Sequence, residues 1–261
     1  MKLTVLTENT SCREGLIPEH GVSFYMETAR HRILFDMGQS DLLIRHAAAL
    51  GVDLSAVDVA ILSHGHYDHG GGLAAFLQIN QRATVYLNEH AFEPHYRRDG
   101  TYIGLDPALE GHPRLQPVGE HCAIDEELEL FACNHRPRPH GTDTSGLCMA
   151  DMAAEDFRHE QYLLLREGGR RILVSGCSHK GILNIVDWFA PDVLIGGLHL
   201  NKYATEGADA APLREMAQRL AKAPTRYYTC HCTGVPQYEF LRREMGDRLS
   251  YLSCGETLEL A

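Results

Sequence analysis

The chain has 261 residues, enough to bury about three quarters of its unfolded surface, so it needs no disulfide or metal merely to stay folded. Hydrophobic residues make up 44% and charged residues 23%, an ordinary globular balance, and no apolar run approaches a membrane span. The formal net charge of -11 disfavours nucleic acid and acidic membranes as partners, although a local cation cluster would still admit an anionic substrate.

The 8 cysteines are scattered, apart from Cys230-His-Cys232. Met1–Leu6 is too short for a signal core. Together these predict a cytoplasmic protein with reduced thiols. Histidine is unusually frequent, at 16, and clusters near loops, where metal chemistry is usually placed.

Lys2–Leu6 reads as a strand, and Val22–Thr28 with Arg32–Asp36 as a hairpin. Asp41–Leu50 carries Leu42, Leu43, Ala47 and Leu50 at helical spacing, and Gly51 is its expected stop. Asp58–Ser63 is nearly all apolar, as a strand buried on both faces should be. Gly70-Gly71-Gly72 leads into a helix at Leu73–Leu77, and Thr84–Leu87 returns to strand. From about His95 to Leu147 the chain is rich in Pro, Gly, Arg and His and lacks periodicity. It is expected to form a loop-rich cover with a hairpin near Leu128–Ala132.

Order returns with strands at Tyr162–Leu165 and Arg171–Ser175 and a helix at Gly181–Phe189. A buried strand follows at Asp192–Gly196, a helix at Pro212–Ala223 and a strand at Arg226–Cys230. A helix at Gln237–Met245 and a strand at Leu249–Leu252 complete the reading. The two halves echo each other: Arg32-Ile-Leu-Phe and Asp58-Val-Ala-Ile resemble Arg171-Ile-Leu-Val and Asp192-Val-Leu-Ile. Two such halves packed sheet to sheet predict one α/β domain over residues 1–261, a four-layer αββα sandwich.

The most informative stretch is Ser63-His64-Gly65-His66-Tyr67-Asp68-His69-Gly70. In extended backbone, residues two apart share a side, so His64 and His66 can grip one ion. Asp68 and His69, past the turn, can reach a second. Imidazole with carboxylate suits zinc, with manganese or iron as alternatives, and not calcium. One loop cannot close two coordination spheres. The further candidates lie at other strand ends: His179 in Gly176-Cys177-Ser178-His179, then His231, His159 and His199. Cys177 either bridges ions as a thiolate or is a small buried residue. Asp36 is expected to orient a ligand histidine rather than bind metal, and His20 to border the site.

The chain resembles the metallo-β-lactamase-like superfamily, whose His-x-His-x-Asp-His signature is matched by residues 64 to 69. More narrowly, Glu19–Ser23, Phe35–Ser40, Ser63–Leu73, Ser175–Ile182, Gly196–Leu200 and His231–Gly234 resemble one branch. That branch is named for the methanopterin-pathway dihydropterin ribofuranosyl-aminobenzene phosphate synthase. The resemblance implies two packed sheets with outer helices and one or two ions at one edge. It leaves open which of His159, Cys177 and His179 complete the cluster.

The expected function is hydrolysis of a small, anionic ester or phosphoester by hydroxide held on one or two ions. Asp68 would steer the hydroxide or bind the second ion, and His199 or His179 would protonate the leaving group. Arg97, Arg98, Arg136 and Arg138 are candidates to hold an anionic substrate, or else a solvated loop face. Pterin-type condensing or lyase chemistry and a non-catalytic metal- or ligand-binding module are the competing readings, with an iron redox role as a minor one. The sequence names neither the substrate nor the oligomeric state.

Overall fold

The computed structural model describes residues 1–142 and 146–260. Strands β1 (Lys2–Thr7), β2 (Ser23–Glu27) and β3 (Arg32–Phe35) run antiparallel in succession. Helix α1 (Leu42–Ala49) carries the chain to β4 (Val59–Ile61), which lies parallel to β3. The single turn α2 (Tyr67–Gly70) and α3 (Leu73–Ile79) then lead to β5 (Thr84–Asn88), parallel to β4. Parallel neighbours need crossovers, and these helices supply them. Leu42, Leu43, His46 and Ala47 form the buried face of α1, and Gly51, at φ +71, takes the left-handed position that ends it.

The segment expected as a loop-rich cover is broken up by strands. β6 (His95–Arg97) pairs with β10 (Leu147–Met149) in a small ribbon. β7 (Leu115–Val118) extends the first sheet beside β5, and β8 (His121–Ala123) with β9 (Leu128–Phe131) edges the second sheet. These strands are short, partly exposed and lie at or near sheet edges, where Pro117 is tolerated. Such strands carry little alternation for a sequence reading to detect.

In the second half β11 (Tyr162–Glu167) and β12 (Arg170–Val174) form a hairpin. α4 (Ile182–Phe189), β13 (Val193–Ile195), α5 (Ala211–Leu220), β14 (Arg226–Thr229), α6 (Val235–Met245) and β15 (Leu249–Tyr251) follow. β12 to β15 are parallel neighbours. β16 (Thr257–Glu259) returns to pair with β1. The result is two seven-stranded sheets, ordered β16-β1-β2-β3-β4-β5-β7 and β15-β14-β13-β12-β11-β9-β8.

Three apolar layers hold this arrangement. Val5, Phe24, Phe35 and Ile61 of one sheet meet Leu163, Leu165, Ile172 and Ile195 of the other in the central core. Leu43, Ala47, Leu73 and Phe76 cover the outer face of the first sheet. Ile185, Phe189, Leu213, Leu220 and Leu241 cover the second. The order is helix, sheet, sheet, helix, as the sequence implied. Among the described residues no helix is long and apolar enough to cross a membrane.

The internal echo has a structural counterpart. Asp58 accepts the Arg32 N–H at 3.0 Å, and its own N–H returns to the Arg32 carbonyl at 3.0 Å. Asp192 does the same with Arg171, at 2.8 and 2.9 Å. Each clamp fixes the start of a central parallel strand against its neighbour.

The two halves are also tied at a distance from the site. His31, in the β2–β3 turn, lies 2.8 Å from Asp125 of the β8–β9 turn and 3.4 Å from Asp58. Burial lowers the His31 pKa, but the Asp125 hydrogen bond and the two carboxylates outweigh it, so the net shift is upward. The stability from this contact is therefore fully present below about pH 6.5, the unfolded value. It is lost as pH rises through the raised folded value. Urea unfolding at pH 5.5 and pH 9 should show His31→Gln less stable than wild type at the lower pH, with the gap closing at the higher. A gap independent of pH would overturn the assignment.

Candidate metal centre

The carboxyl ends of the parallel strands from both sheets meet along one edge, the usual location for sites in α/β proteins. β1 delivers Glu8 and Asn9, β3 delivers Asp36, and β4 delivers the segment 63–69. β12 delivers Cys177 and His179, β13 His199 and β14 His231. Four non-glycine residues at these ends take positive φ: Asp36 (58), Ser178 (61), His199 (54) and His231 (49). Backbone strain of this kind persists where surrounding structure over-determines it, often at functional sites. Gly65 is required by close approach, because a Cβ there would lie 2.1 Å from the Ala91 carbonyl oxygen.

His64, His66, Asp68 and His69 are all buried and converge. The last two sit on α2 rather than on extended chain, which turns them toward a different set of neighbours. His64 Nε2 is 3.3 Å from His179 Nε2, and His69 Nε2 is 3.2 Å from Cys177 Sγ. Asp68 Oδ2 lies 3.2 Å from His231 Nε2, 3.3 Å from His20 Nε2 and 3.8 Å from His69 Nε2. His20 thus borders the site as expected. The His199 ring stands 4.3 Å from that of His179, and His199 groups with His179 and Cys177. His159 is placed elsewhere: its Nδ1 accepts the Gly65 N–H at 2.8 Å and its Nε2 lies 2.6 Å from Glu155.

The outer nitrogens are committed to acceptors. Asp36 accepts the Ser63 N–H, the Ser63 O–H and the His69 Nδ1–H, each at 2.7 Å. Ser63 Oγ, having donated its proton to Asp36, is left to accept from His64 Nδ1 at 2.8 Å. His231 Nδ1 donates to Asn9 Oδ1 at 2.8 Å. With the Nδ1 atoms of His64, His69 and His231 held by these acceptors, the Nε2 atoms of all three face inward, those of His69 and His231 toward Asp68. Asp36 therefore orients a histidine, as the sequence suggested.

The electrostatics follow from this crowding. Burial and the neighbouring imidazoles hold His64 and His179 well below the usual histidine range, so both are neutral at physiological pH. Burial alone would raise Asp68, but His69, His20 and His231 hold its carboxyl well below the usual range. Burial lowers His231, yet Asp68 outweighs it and lifts the ring to about 8. Burial pushes the Cys177 thiol well above its usual value. His179 Nδ1 has no hydrogen-bond partner among the described residues.

Several supporting residues carried no signal that the sequence reading used. Glu8 accepts the His231 N–H at 2.6 Å, and Glu160 accepts the His179 and Lys180 N–H groups at 2.7 and 2.9 Å. Glu8 and Asn9 directly follow β1, so attention to every polar strand end would have found them. His95 and Glu155 offer no such cue. Of the four arginines singled out, only Arg97 lines the cavity of about 410 Å³ that opens on His179, His199 and His231. Arg136 bonds the Trp188 carbonyl and lies over Phe189, and Arg138 bonds the Asp156 carbonyl.

A model of the Metallo-beta-lactamase superfamily matches residues 16–149. An uncharacterized protein of Methanocaldococcus jannaschii is 29% identical over 209 residues, covering 76% of this chain and 79% of that one. The 7,8-dihydropterin-6-methyl-4-(beta-D-ribofuranosyl)-aminobenzene-5'-phosphate synthase of the same organism is 26% identical, covering 92% of this chain and 90% of that protein. The crystal structure of Tm1679, described as a metal-dependent hydrolase of the beta-lactamase superfamily, superposes with a TM-score of 0.85 at 26% identity. It covers 100% of this chain and 99% of that one.

Because Asp36 satisfies three donors at once, Asp36→Asn puts an amide N–H₂ where donors already crowd. We expect a loss on the order of 3 kcal/mol in urea unfolding of the metal-free protein. A loss below about 0.5 kcal/mol, within the range of ordinary surface changes, would show that these bonds do not hold the loop.

Proposed function

The chain belongs to the Metallo-beta-lactamase superfamily, and from that premise we propose that it is a metal-dependent hydrolase of a small, anionic ester or phosphoester. One observation carries the reading: buried Nε2 atoms of His64, His69, His179 and His231 converge with the Asp68 carboxylate and the Cys177 thiol at 3.2 to 3.8 Å, while the Nδ1 atoms of His64, His69 and His231 are held by acceptors outside. The buried His64 ring, neutral with its proton on Nδ1, turns its Nε2 lone pair into this group. The donor set fits zinc as first choice, in one or two positions. His64, His66 and His179 would hold one ion and Asp68, His69 and His231 the other, with Cys177 within reach of His69 and of His231. The chemistry supplied by a divalent ion bound here would be acidification of a water and polarisation of the bond under attack.

The chain's own residues do the rest. Asp68, fixed between His20, His69 and His231, is placed to accept a hydrogen bond from the attacking water and to orient it. His199 lines both the cavity of about 410 Å³ and a neighbouring one of about 340 Å³, and is placed to hand a proton to the leaving group. Arg97 supplies a fork for the substrate's anionic part on the cavity wall. The similarity to Tm1679, itself described as a metal-dependent hydrolase, supports the reaction class. The pterin-named relative of Methanocaldococcus jannaschii favours a second reading, condensation on a pterin substrate.

The test is turnover by zinc-loaded protein on phosphoester and carboxyl-ester panels, with pterin substrates in a separate arm. His64→Ala should lose bound zinc and all turnover while keeping its far-ultraviolet ellipticity. Arg97→Gln should raise KM for anionic substrates about tenfold with kcat nearly unchanged, the expectation for one lost charge-assisted bond. Zinc binding without ester turnover, but with pterin condensation, would replace the first reading by the second.

A further inference from the structure

Beside the centre lies a second closed group. His66 is 4% exposed, Glu155 1%, and His95 and His159 are fully buried. Glu155 Oε1 stands 2.6 Å from His159 Nε2, 2.8 Å from His95 Nδ1 and 3.2 Å from His66 Nε2. His66 Nε2 is also 3.2 Å from Oε2.

Spacing decides what this group is. Ligands about 2.05 Å from a tetrahedral zinc stand roughly 3.3 Å apart. The facing pairs of the metal centre, at 3.2, 3.3 and 3.8 Å, are compatible with that spacing. The two shortest contacts of Glu155 are tighter, and fall near the range of charge-assisted hydrogen bonds. The His95 and His159 rings meet Oε1 off the hydrogen-bond axis, whereas the contact from His66 is well formed.

The protons can be placed. Gly65 donates its N–H to His159 Nδ1, so a neutral His159 carries its own proton on Nε2, toward Glu155. With Nδ1 taken by Gly65 and the Nε2 proton facing a carboxylate at 2.6 Å, neutral His159 presents no lone pair to the metal centre in this arrangement. The same bond ties Gly65, between His64 and His66, to the carboxylate through one imidazole.

We infer that Glu155 is a positioning residue: it takes the Nε2 proton of His66, so that Nδ1 is the only lone pair His66 can offer to a metal ion. His95 and His159 hold the carboxylate in place from its other sides. His66 thereby follows the rule seen at His64, His69 and His231, whose outer nitrogens are held by Ser63, Asp36 and Asn9. A carboxylate on the far nitrogen also raises the basicity of the ligating one. The inference rests on the metal-centre reading.

The test uses the full chain reconstituted with zinc, as wild type, Glu155→Gln and His95→Gln. Zinc content is read by mass spectrometry, affinity by chelator competition, and the His66 tautomer by long-range proton–nitrogen NMR. Wild type should show His66 protonated on Nε2. Glu155→Gln should keep the zinc count at saturation, bind zinc about 10- to 100-fold more weakly, and show mixed His66 tautomers. His95→Gln should shift both readouts the same way by less, and decides the matter if Glu155→Gln does not fold. An additional zinc in wild type that both variants lose would make the group a metal site and overturn the inference. Affinity within about twofold of wild type, with an unchanged His66 signal, would overturn it in favour of mere packing. Wild-type protein that binds no zinc would sink the metal reading itself, and this inference with it.

Discussion

The structure depends on Asp36. Its carboxylate, fully buried and with no lysine or arginine ion pair among the described residues, is satisfied by Ser63 and His69. Those bonds decide which nitrogen of His69 and, through the Ser63 hydroxyl, which nitrogen of His64 looks inward. A buried carboxylate costs several kcal/mol unless it is bonded on all sides. Here that cost is offset by donors that the site needs oriented anyway. The same element that secures β3 to the end of β4 therefore also prepares the cation-shaped gap.

The pattern extends across the sandwich. The first sheet supplies His64, His66, Asp68 and His69, and the second supplies Cys177, His179, His199 and His231. Neither half contains a complete set. The central core of Phe35 and Ile61 against Ile172 and Ile195 sets how close the strand ends come. Gln161 spans the junction just ahead of β11: its N–H donates to the Ser63 carbonyl and its amide to the Leu62 carbonyl, both at 2.8 Å. The strained φ values of Asp36, Ser178, His199 and His231 each follow directly or closely on a strand end, which fixes the chain just before the turn.

Much of this was legible in the sequence, and for physical reasons. Val59–Ile61 and Val193–Ile195 are buried on both faces, so their apolar runs announce central parallel strands. The histidines after β4 stand close together in sequence because one turn presents them all. Other features were not legible. β7, β8 and β10 are too short and too exposed to alternate clearly, and they earn their strand status from neighbours. Asp68 and His69 fall on a helical turn that four residues cannot signal. His159 sits at a suggestive spacing, yet the Gly65 N–H claims one of its nitrogens, a contact across 94 positions. Long-range polar bonds of that kind leave no local pattern.

Two buried groups of imidazoles and carboxylates therefore lie side by side, and distance separates their roles. Around Asp68 and Cys177 the facing atoms stand 3.2 to 3.8 Å apart, with the outer nitrogens of His64, His69 and His231 held elsewhere. Around Glu155 two of the contacts shorten to 2.6 and 2.8 Å, and the Gly65 bond places the His159 proton toward the carboxylate. Glu155 holds a formed hydrogen bond from His66 and has two further imidazoles packed against the same carboxylate. Around Asp68 and Cys177 four imidazoles, a carboxylate and a thiol converge with most of their outer nitrogens already bound elsewhere. That convergence, in a space sealed from most solvent, is the physical reason to assign the cation to the first group and the positioning of His66 to the second.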